Sequence, residues 1–268
     1  MKLAAIDLDG TLLNSQHQLL EVNTQALRQA QAQGIQLVLA TGRSVVSAVD
    51  ILEQMELEGF ILALNGTFIA QKTSAGVKML RSFQLEQSDV KKAFALAQEE
   101  KITFIASNQL GSDRVVMDDP EELVQEFLMK RADLRCFTAN EMQEKIDDSS
   151  NHYLKLAFTN RNRKKLLSLK QRLENAGLPT IFSDTHYIEY VPQGVNKGTA
   201  LQFLCEKLGI PLSETLAIGD QENDIELLQI SGRGIAMGNA QEHVKAVADQ
   251  VTVTNDQAGV AKALLRYL

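Results

Sequence analysis

Two carboxylates, Asp7 and Asp9, followed by Gly10-Thr11, stand where the first apolar run of the chain, residues 3–6, comes to an end. In an open α/β sheet the carboxyl ends of the strands are where ligands bind. A turn beginning at Leu8 separates the tasks of the two acids and bares backbone N–H groups that can cradle an anion. Taken alone, the same pair is also what a solvated turn after a strand carries.

Three further stations repeat the arrangement. Thr41-Gly42-Arg43 follows the apolar run 37–40, so a hydroxyl and free backbone amides suited to a phosphate oxygen stand at another strand end. Thr41 could equally cap the next helix, and Arg43 could be a rim ion pair as readily as a substrate contact. Lys197, in Gly194-Val195-Asn196-Lys197-Gly198-Thr199, opens a helix. The helix dipole disfavours a cation there by ~0.5 kcal/mol unless anions wait nearby. The GxxxxGK spacing of a P-loop is absent. Finally, Gly219-Asp220-Gln221-Glu222-Asn223-Asp224 follows the apolar run 216–218. Capping explains one acid at that helix start, whereas five polar side chains in succession point to more. Mg²⁺ takes hard oxygen ligands, usually one or two carboxylates with waters and a phosphate, so Asp7, a backbone carbonyl and Asp220 suit it.

The elements that must hold these stations alternate. Residues 3–6, 35–40 and 60–64 read as strands, and 22–30 and 45–55 as helices, the first on the spacing of Val22, Ala26 and Ala30. Asn65-Gly66 is a tight-turn dipeptide, after which Phe68-Ile69 can return as a hairpin partner. Toward the C-terminus, helices at 197–208, 225–228 and 259–265 alternate with strands at 216–218, 234–237 and 251–253, with Asn255 or Asp256 available to cap the last helix. Between them strands come faster (103–106, 114–117, 153–158, 180–183), separated by helices at 88–100, 120–130 and 163–176, while 140–151 reads as a loop or a poorly formed helix. The expected fold is therefore α/β: a doubly wound, Rossmann-like parallel-sheet core at 1–82 and 187–268, carrying an inserted α+β domain at 83–186.

Composition narrows the chemistry. The chain has 268 residues, with 27 Lys and Arg against 34 Asp and Glu, and a net charge of −7 that repels nucleic acid and anionic membranes. No run approaches the apolar length of a membrane span, and the apolar start before Asp7 is too short for a signal peptide, so a cytoplasmic protein is expected. Cys136 and Cys205 sit in no ligand cluster and read as reduced thiols. The histidines His17, His152, His186 and His243 lack metal-ligand spacing and read as surface or structural groups, and the basic stretch 161–165 reads as a solvated helix start. Gly232-Arg233-Gly234 has Met237 where a dinucleotide fingerprint needs glycine.

The ordered set Asp7-Leu8-Asp9-Gly10-Thr11-Leu12-Leu13, Thr41-Gly42-Arg43, Lys197 and Gly219-Asp220-Gln221-Glu222-Asn223-Asp224 resembles the haloacid dehalogenase superfamily and, more narrowly, its Cof-type sugar-phosphatase branch. Asn65-Gly66, residues 234–240 and 255–260 also look like that branch, and the insertion matches its α/β cap. The resemblance implies a Mg²⁺-dependent phosphatase acting on small phosphorylated metabolites, with Asp7 as nucleophile and Asp9 as general acid and base. It implies phosphate contacts for Thr41, Lys197 and Asn223, and metal contacts for Asp7, Asp9 (through its carbonyl) and Asp220 with Asp224 supporting the metal site; Leu8 and Gly42 are further candidate phosphate contacts and Arg43 a candidate substrate contact. The related ion-pumping ATPases carry Thr at the place of Asp9, so a carboxylic acid there favours hydrolysis. That role asks for a neutral Asp9 at the outset, hence an Asp9 pKa above that of Asp7. A sugar phosphomutase, or a phosphate-ligand-binding protein without turnover, are the alternatives. The cap is expected to supply the substrate contacts.

Overall fold

The computed structural model describes residues 1–117 and 134–268, which divide into two compact units, Met1–Ser82 with Gly194–Leu268, and Phe83–Gln193.

Strand β1 (Leu3–Ile6) consists of four buried apolar residues, the pattern of a parallel strand covered on both faces. It lies between β2 (Gln36–Ala40) and β12 (Thr215–Gly219), parallel to both. Beyond β2 come β3 (Gly59–Ala63), parallel, then β4 (Phe68–Thr73) and β5 (Gly76–Ser82), antiparallel. Beyond β12 come β13 (Arg233–Ala236) and β14 (Gln250–Val251), so the sheet order is β14-β13-β12-β1-β2-β3-β4-β5. The chain thus grows outward through β2 and β3 and resumes on the other side of β1 with β12. That reversal opens a crevice at the strand ends, where doubly wound sheets bind ligands. Asp7 and Asp220 follow the two strands that flank it.

Helices α1 (Glu21–Ala32) and α2 (Val45–Gln54) belong to this unit. Val22, expected on the buried stripe of α1, is exposed, and the buried face runs instead through Asn23, Ala26, Leu27 and Ala30. Asn23 turns the helix this way because its amide donates to the Leu12 carbonyl and accepts from the Ala261 N–H, bracing the loop after β1. The C-terminal Gly259–Leu264 helix is entered through Ala258 in the left-handed conformation, not through the expected Asn255 or Asp256 cap. Those two side chains reach the first loop instead, Asn255 donating to the Leu13 carbonyl and Asp256 accepting from the Ser15 N–H.

The second unit is an antiparallel-dominated sheet in the order β10-β11-β9-β6-β7-β8. Its strands are β6 (Thr103–Asn108), β7 (Gly111–Val115), β8 (Leu134–Cys136), β9 (Lys155–Thr159), β10 (Ile181–Asp184) and β11 (Tyr187–Tyr190). Helices α3 (Gln87–Glu100), α4 (Ala139–Asp147) and α5 (Arg163–Asn175) bring Phe94, Met142, Leu166 and Leu169 to a core with Phe104, Leu156 and Phe158. These strand residues alternate along β6 and β9, as one buried sheet face requires. Residues 140–151 begin as a proper helix, α4, because Thr138 and Glu141 form a reciprocal capping box. The helix expected at 120–130 lies outside the described residues. The second unit ends at Gln193 and not at 186, since β11 pairs antiparallel with both β9 and β10 and cannot be shared with the first unit.

Candidate active site

The β1 ladder continues one residue past the strand, the Asp7 N–H donating to the Ile218 carbonyl at 3.0 Å. The chain then makes one wide turn over Leu8–Leu12, closed by Leu12 N–H to Asp7 carbonyl at 3.2 Å and Leu13 N–H to Leu8 carbonyl at 2.9 Å. Gly10 has φ 75°, and a Cβ there would lie 2.3 Å from an Asp220 oxygen. Only glycine lets the Asp7 and Asp220 loops come so close. The Asp7 side chain is consequently buried, and Asp9 is left half-buried.

Lys197 is the first residue of α6 (Lys197–Leu208), whose start is capped by a reciprocal Asn196–Thr199 box. Its side chain is 1% exposed, and its Nζ donates to Asp7 Oδ1 at 2.7 Å and to Asp224 Oδ1 at 2.7 Å. These are the anions that make a cation tolerable at a helix start. The other Asp224 oxygen accepts backbone N–H groups of Asp220 at 3.0 Å and Gln221 at 3.1 Å. Asp220 accepts from the Thr11 hydroxyl at 2.7 Å, and Asn239 bridges the Gly10 carbonyl (2.8 Å) and Asp220 Oδ2 (3.4 Å).

The electrostatics of this group are unbalanced. Oxygens of Asp7, Asp220 and Asp224 all lie within 4.8 Å of one another, with one ammonium among them. Burial pushes the Asp7 carboxyl well above its usual range, the charges of Asp224 and Asp220 add to that, and Lys197 opposes it. Burial, with Asp224 next, pushes Asp220 up to about 7. Burial favours a neutral Lys197, but Asp224 and Asp7 outweigh it and hold the ammonium above its ordinary range. Three buried hard-oxygen donors with too little positive charge fit a small divalent cation such as Mg²⁺.

Asp9 looks away from this cluster. Arg43 Nε donates to Asp9 Oδ2 at 2.7 Å while Arg43 Nη2 bonds to Asp9 Oδ1, a two-pronged clamp, and His17 Nδ1 stands 3.4 Å from Asp9 Oδ1. Burial by itself raises the Asp9 carboxyl, yet the Arg43 clamp outweighs it and leaves Asp9 below its usual range. Among the protein's own groups the acid order is therefore the reverse of the expected one, with Asp7 raised and Asp9 lowered. The carboxylate of Asp9 is not one of the three clustered acids.

Thr41 and Gly42 occupy the loop after β2, next to β1. Thr41 does not cap α2, because Ser44 does so by accepting from the Ser47 N–H, and the buried Thr41 hydroxyl accepts from the Arg43 N–H at 3.0 Å. Leu8 is buried inside the first turn. Asn223 is buried on the loop after β12 and donates through Nδ2 to Asn65 Oδ1 at 3.1 Å. Four residues without an expected site role stand here: His17, expected to be a surface or structural group, and Thr11, Asn239 and Asn65. Thr11, Asn65 and Asn239 lay inside segments that resemble the family, which was the available signal, whereas nothing local marks His17 as a neighbour of Asp9.

A switch point flanked by two acid-bearing loops, with a buried lysine between their carboxylates, is the frame of an α/β enzyme site for a cation and an anionic ligand. The sequence profile of the haloacid dehalogenase-like hydrolases matches residues 4–264, and the chain belongs to that family. It is 35% identical to the phosphatase YwpJ of Bacillus subtilis over the full length of both chains. It is 30% identical to the 5-amino-6-(5-phospho-D-ribitylamino)uracil phosphatase YcsE of the same organism, covering 100% of this chain and 96% of that one. A solved haloacid dehalogenase-like hydrolase from B. subtilis superposes with a TM-score of 0.88 at 30% identity, covering 100% of each chain. The chain is accordingly a phosphatase, and its fold, a Rossmann-like core with a cap domain, is that of the family.

Proposed function

We propose that the chain hydrolyses phosphomonoesters of small metabolites, sugar or polyol phosphates, through a phosphorylated Asp7, with Mg²⁺ as cofactor. The observation that carries this reading is the buried group of Asp7, Asp220 and Asp224 about one lysine, too negative to receive a phosphate dianion without a further cation. The name of the YcsE relative supports a phosphorylated polyol chain as substrate class.

Asp7, Asp220, Asp224 and the Asp9 carbonyl would hold the ion. Bound Mg²⁺ would supply charge that keeps Asp7 ionised and offsets its repulsion from the phosphate. An Asp7 oxygen attacks phosphorus as the ester P–O bond breaks, and Asp9 gives its proton to the departing alkoxide. Asp9, now a carboxylate, takes a proton from water as that water attacks the aspartyl phosphate, releasing inorganic phosphate and restoring Asp7. Lys197 holds Asp7 in line, and Leu8, Thr41, Gly42 and Asn223 supply donors around the phosphoryl oxygens. Because the Arg43 clamp favours the Asp9 carboxylate, Arg43 must exchange Asp9 for another anion before the first proton transfer. The arriving phosphate ester is the natural candidate.

The test is phosphate release from a panel of phosphorylated metabolites with and without a chelator, followed by acid-stable trapping of the phosphorylated protein. Release that persists in chelator sinks the metal role. Isomerised sugar phosphate in place of free phosphate makes the enzyme a mutase, and binding without turnover makes it neither.

A further inference from the structure

The turn after β3 is backbone-strained where it meets the site. Leu64 (φ 52°), Asn65 (φ 59°) and Gly66 (φ 91°) follow one another in the left-handed region, and two of the three carry side chains that disfavour it. All three are buried. Such strain persists only where surroundings over-determine it, and here they do so from three directions. The Leu64 N–H donates to the Arg43 carbonyl at 2.9 Å and the Asn65 N–H to the Thr41 carbonyl at 3.0 Å, fastening the turn to the loop after β2. A Cβ on Gly66 would lie 2.5 Å from the Asn196 carbonyl, so the turn sits directly on the cap of the helix that begins with Lys197. From the turn's middle residue, Asn65 Oδ1 accepts one N–H of Asn223 at 3.1 Å.

Asn223 itself is incompletely used. Its Oδ1 is buried and has no hydrogen-bond partner among the described residues. Its Nδ2 carries two hydrogens, of which Asn65 takes one. An amide pinned on one side, with its remaining polar capacity open, is set up to meet a ligand at a fixed angle. A side chain left to rotate would offer the same groups in no fixed direction.

We infer that Asn65 is a positioning residue of the phosphate site: its carboxamide, held by the strained Leu64-Asn65-Gly66 turn, orients Asn223 toward the phosphoryl group. This rests on the reading of Asn223 as a phosphate contact. Asn65 thereby ties the orientation of Asn223 to the loop bearing Thr41 and Arg43 and to the start of the Lys197 helix.

Asn65→Gly separates the backbone from the side chain, since glycine adopts φ 59° without strain and lacks only the amide. The variant should melt at or above the wild-type temperature, yet lose about 10- to 100-fold in kcat/KM for a phosphomonoester and bind orthovanadate correspondingly more weakly. Asn65→Ser, too short to reach Asn223, gives the same readout should the glycine variant misfold. In combination with Asn223→Ala, Asn65→Gly should add little, because the residue it positions is gone. Wild-type kcat/KM in Asn65→Gly, or losses that multiply in the double variant, would overturn the inference. Wild-type activity in Asn223→Ala would instead remove the phosphate role of Asn223 on which it rests.

Discussion

Each unit of the molecule buries a knot of charges, and the two knots are balanced in opposite ways. In the second unit Asp113, fully enclosed, accepts from Arg135 at 2.6 Å and from the Tyr153 hydroxyl at 2.8 Å, with Lys145 3.3 Å away. Among the described residues, one acid there meets two cations and a phenol. In the first unit Asp7, Asp220 and Asp224 share one lysine. A buried charge that is fully answered holds a structure together, whereas one left under-compensated holds electrostatic energy that a ligand can relieve. The difference is the physical ground for reading the Asp113 knot as scaffold and the Asp7 cluster as the candidate site.

The contrast breaks most severely at Asp7. Asp7→Asn should lower phosphate release by about 10⁴-fold or more. In metal-free buffer it should melt higher than wild type, because one of three mutually repelling carboxylates is gone. An Asp7→Asn variant that is both inactive and less stable would mean that the cluster is as balanced as the Asp113 knot.

Next in size are the broken pairs. Lys197→Met and Asp113→Ala should each cost about 3–5 kcal/mol in denaturant unfolding, since each strands buried charge of one sign. Added Mg²⁺ should restore much of the loss in Lys197→Met, where acids are left over, and none in Asp113→Ala, where cations are. Equal rescue, or none in either, would erase the distinction.

Tyr153→Phe should cost about 1.5–3 kcal/mol, the worth of one buried hydrogen bond to a charged group. Burial, then the charge of Asp113, raises the Tyr153 hydroxyl above the ordinary tyrosine value of 10.0. A raised folded pKa means that this contribution is fully present below about pH 10 and fades as pH climbs toward the folded value. Denaturation curves of wild type and Tyr153→Phe should therefore converge in strong alkali.

The smallest expected effect is at Asp9, a half-buried group screened by solvent. Its pKa is lowered on balance, by Arg43 against burial, so the clamp stabilises the fold above the ordinary carboxylate value and is lost as pH falls through the lowered one. Arg43→Ala should abolish that acid-side loss and move the Asp9 titration upward, as carboxyl NMR would show. An unmoved Asp9 titration would free Arg43 from the role given it here.

Much of this was legible in order along the chain. The apolar strand β1, the Gly10 turn and the acids after β12 are local patterns, because strand ends and tight turns are written in a few neighbouring residues. Strand β5 escaped notice because Gly76–Ser82 is largely exposed and carries no clean alternation. Val22 misled because periodicity reports which residues are apolar and not which face a partner such as Asn23 will claim. The helix α4 was obscured by its polarity, its stability coming from a cap and not from an apolar stripe.

The sequence alone determined the fold class, the two-part organisation and the residue types of the candidate site, since each depends on short runs whose chemistry survives any change of neighbour. Tertiary structure alone decided the partners. Lys197 meets Asp7 across 190 positions, Asn65 meets Asn223 across 158, and burial of Asp7 together with the Arg43 clamp on Asp9 reverses the acid order that the proposed mechanism asks for. Those facts depend on distance and burial, which set how strongly charges and dipoles act on one another, and neither is written in the spacing of residues along a chain.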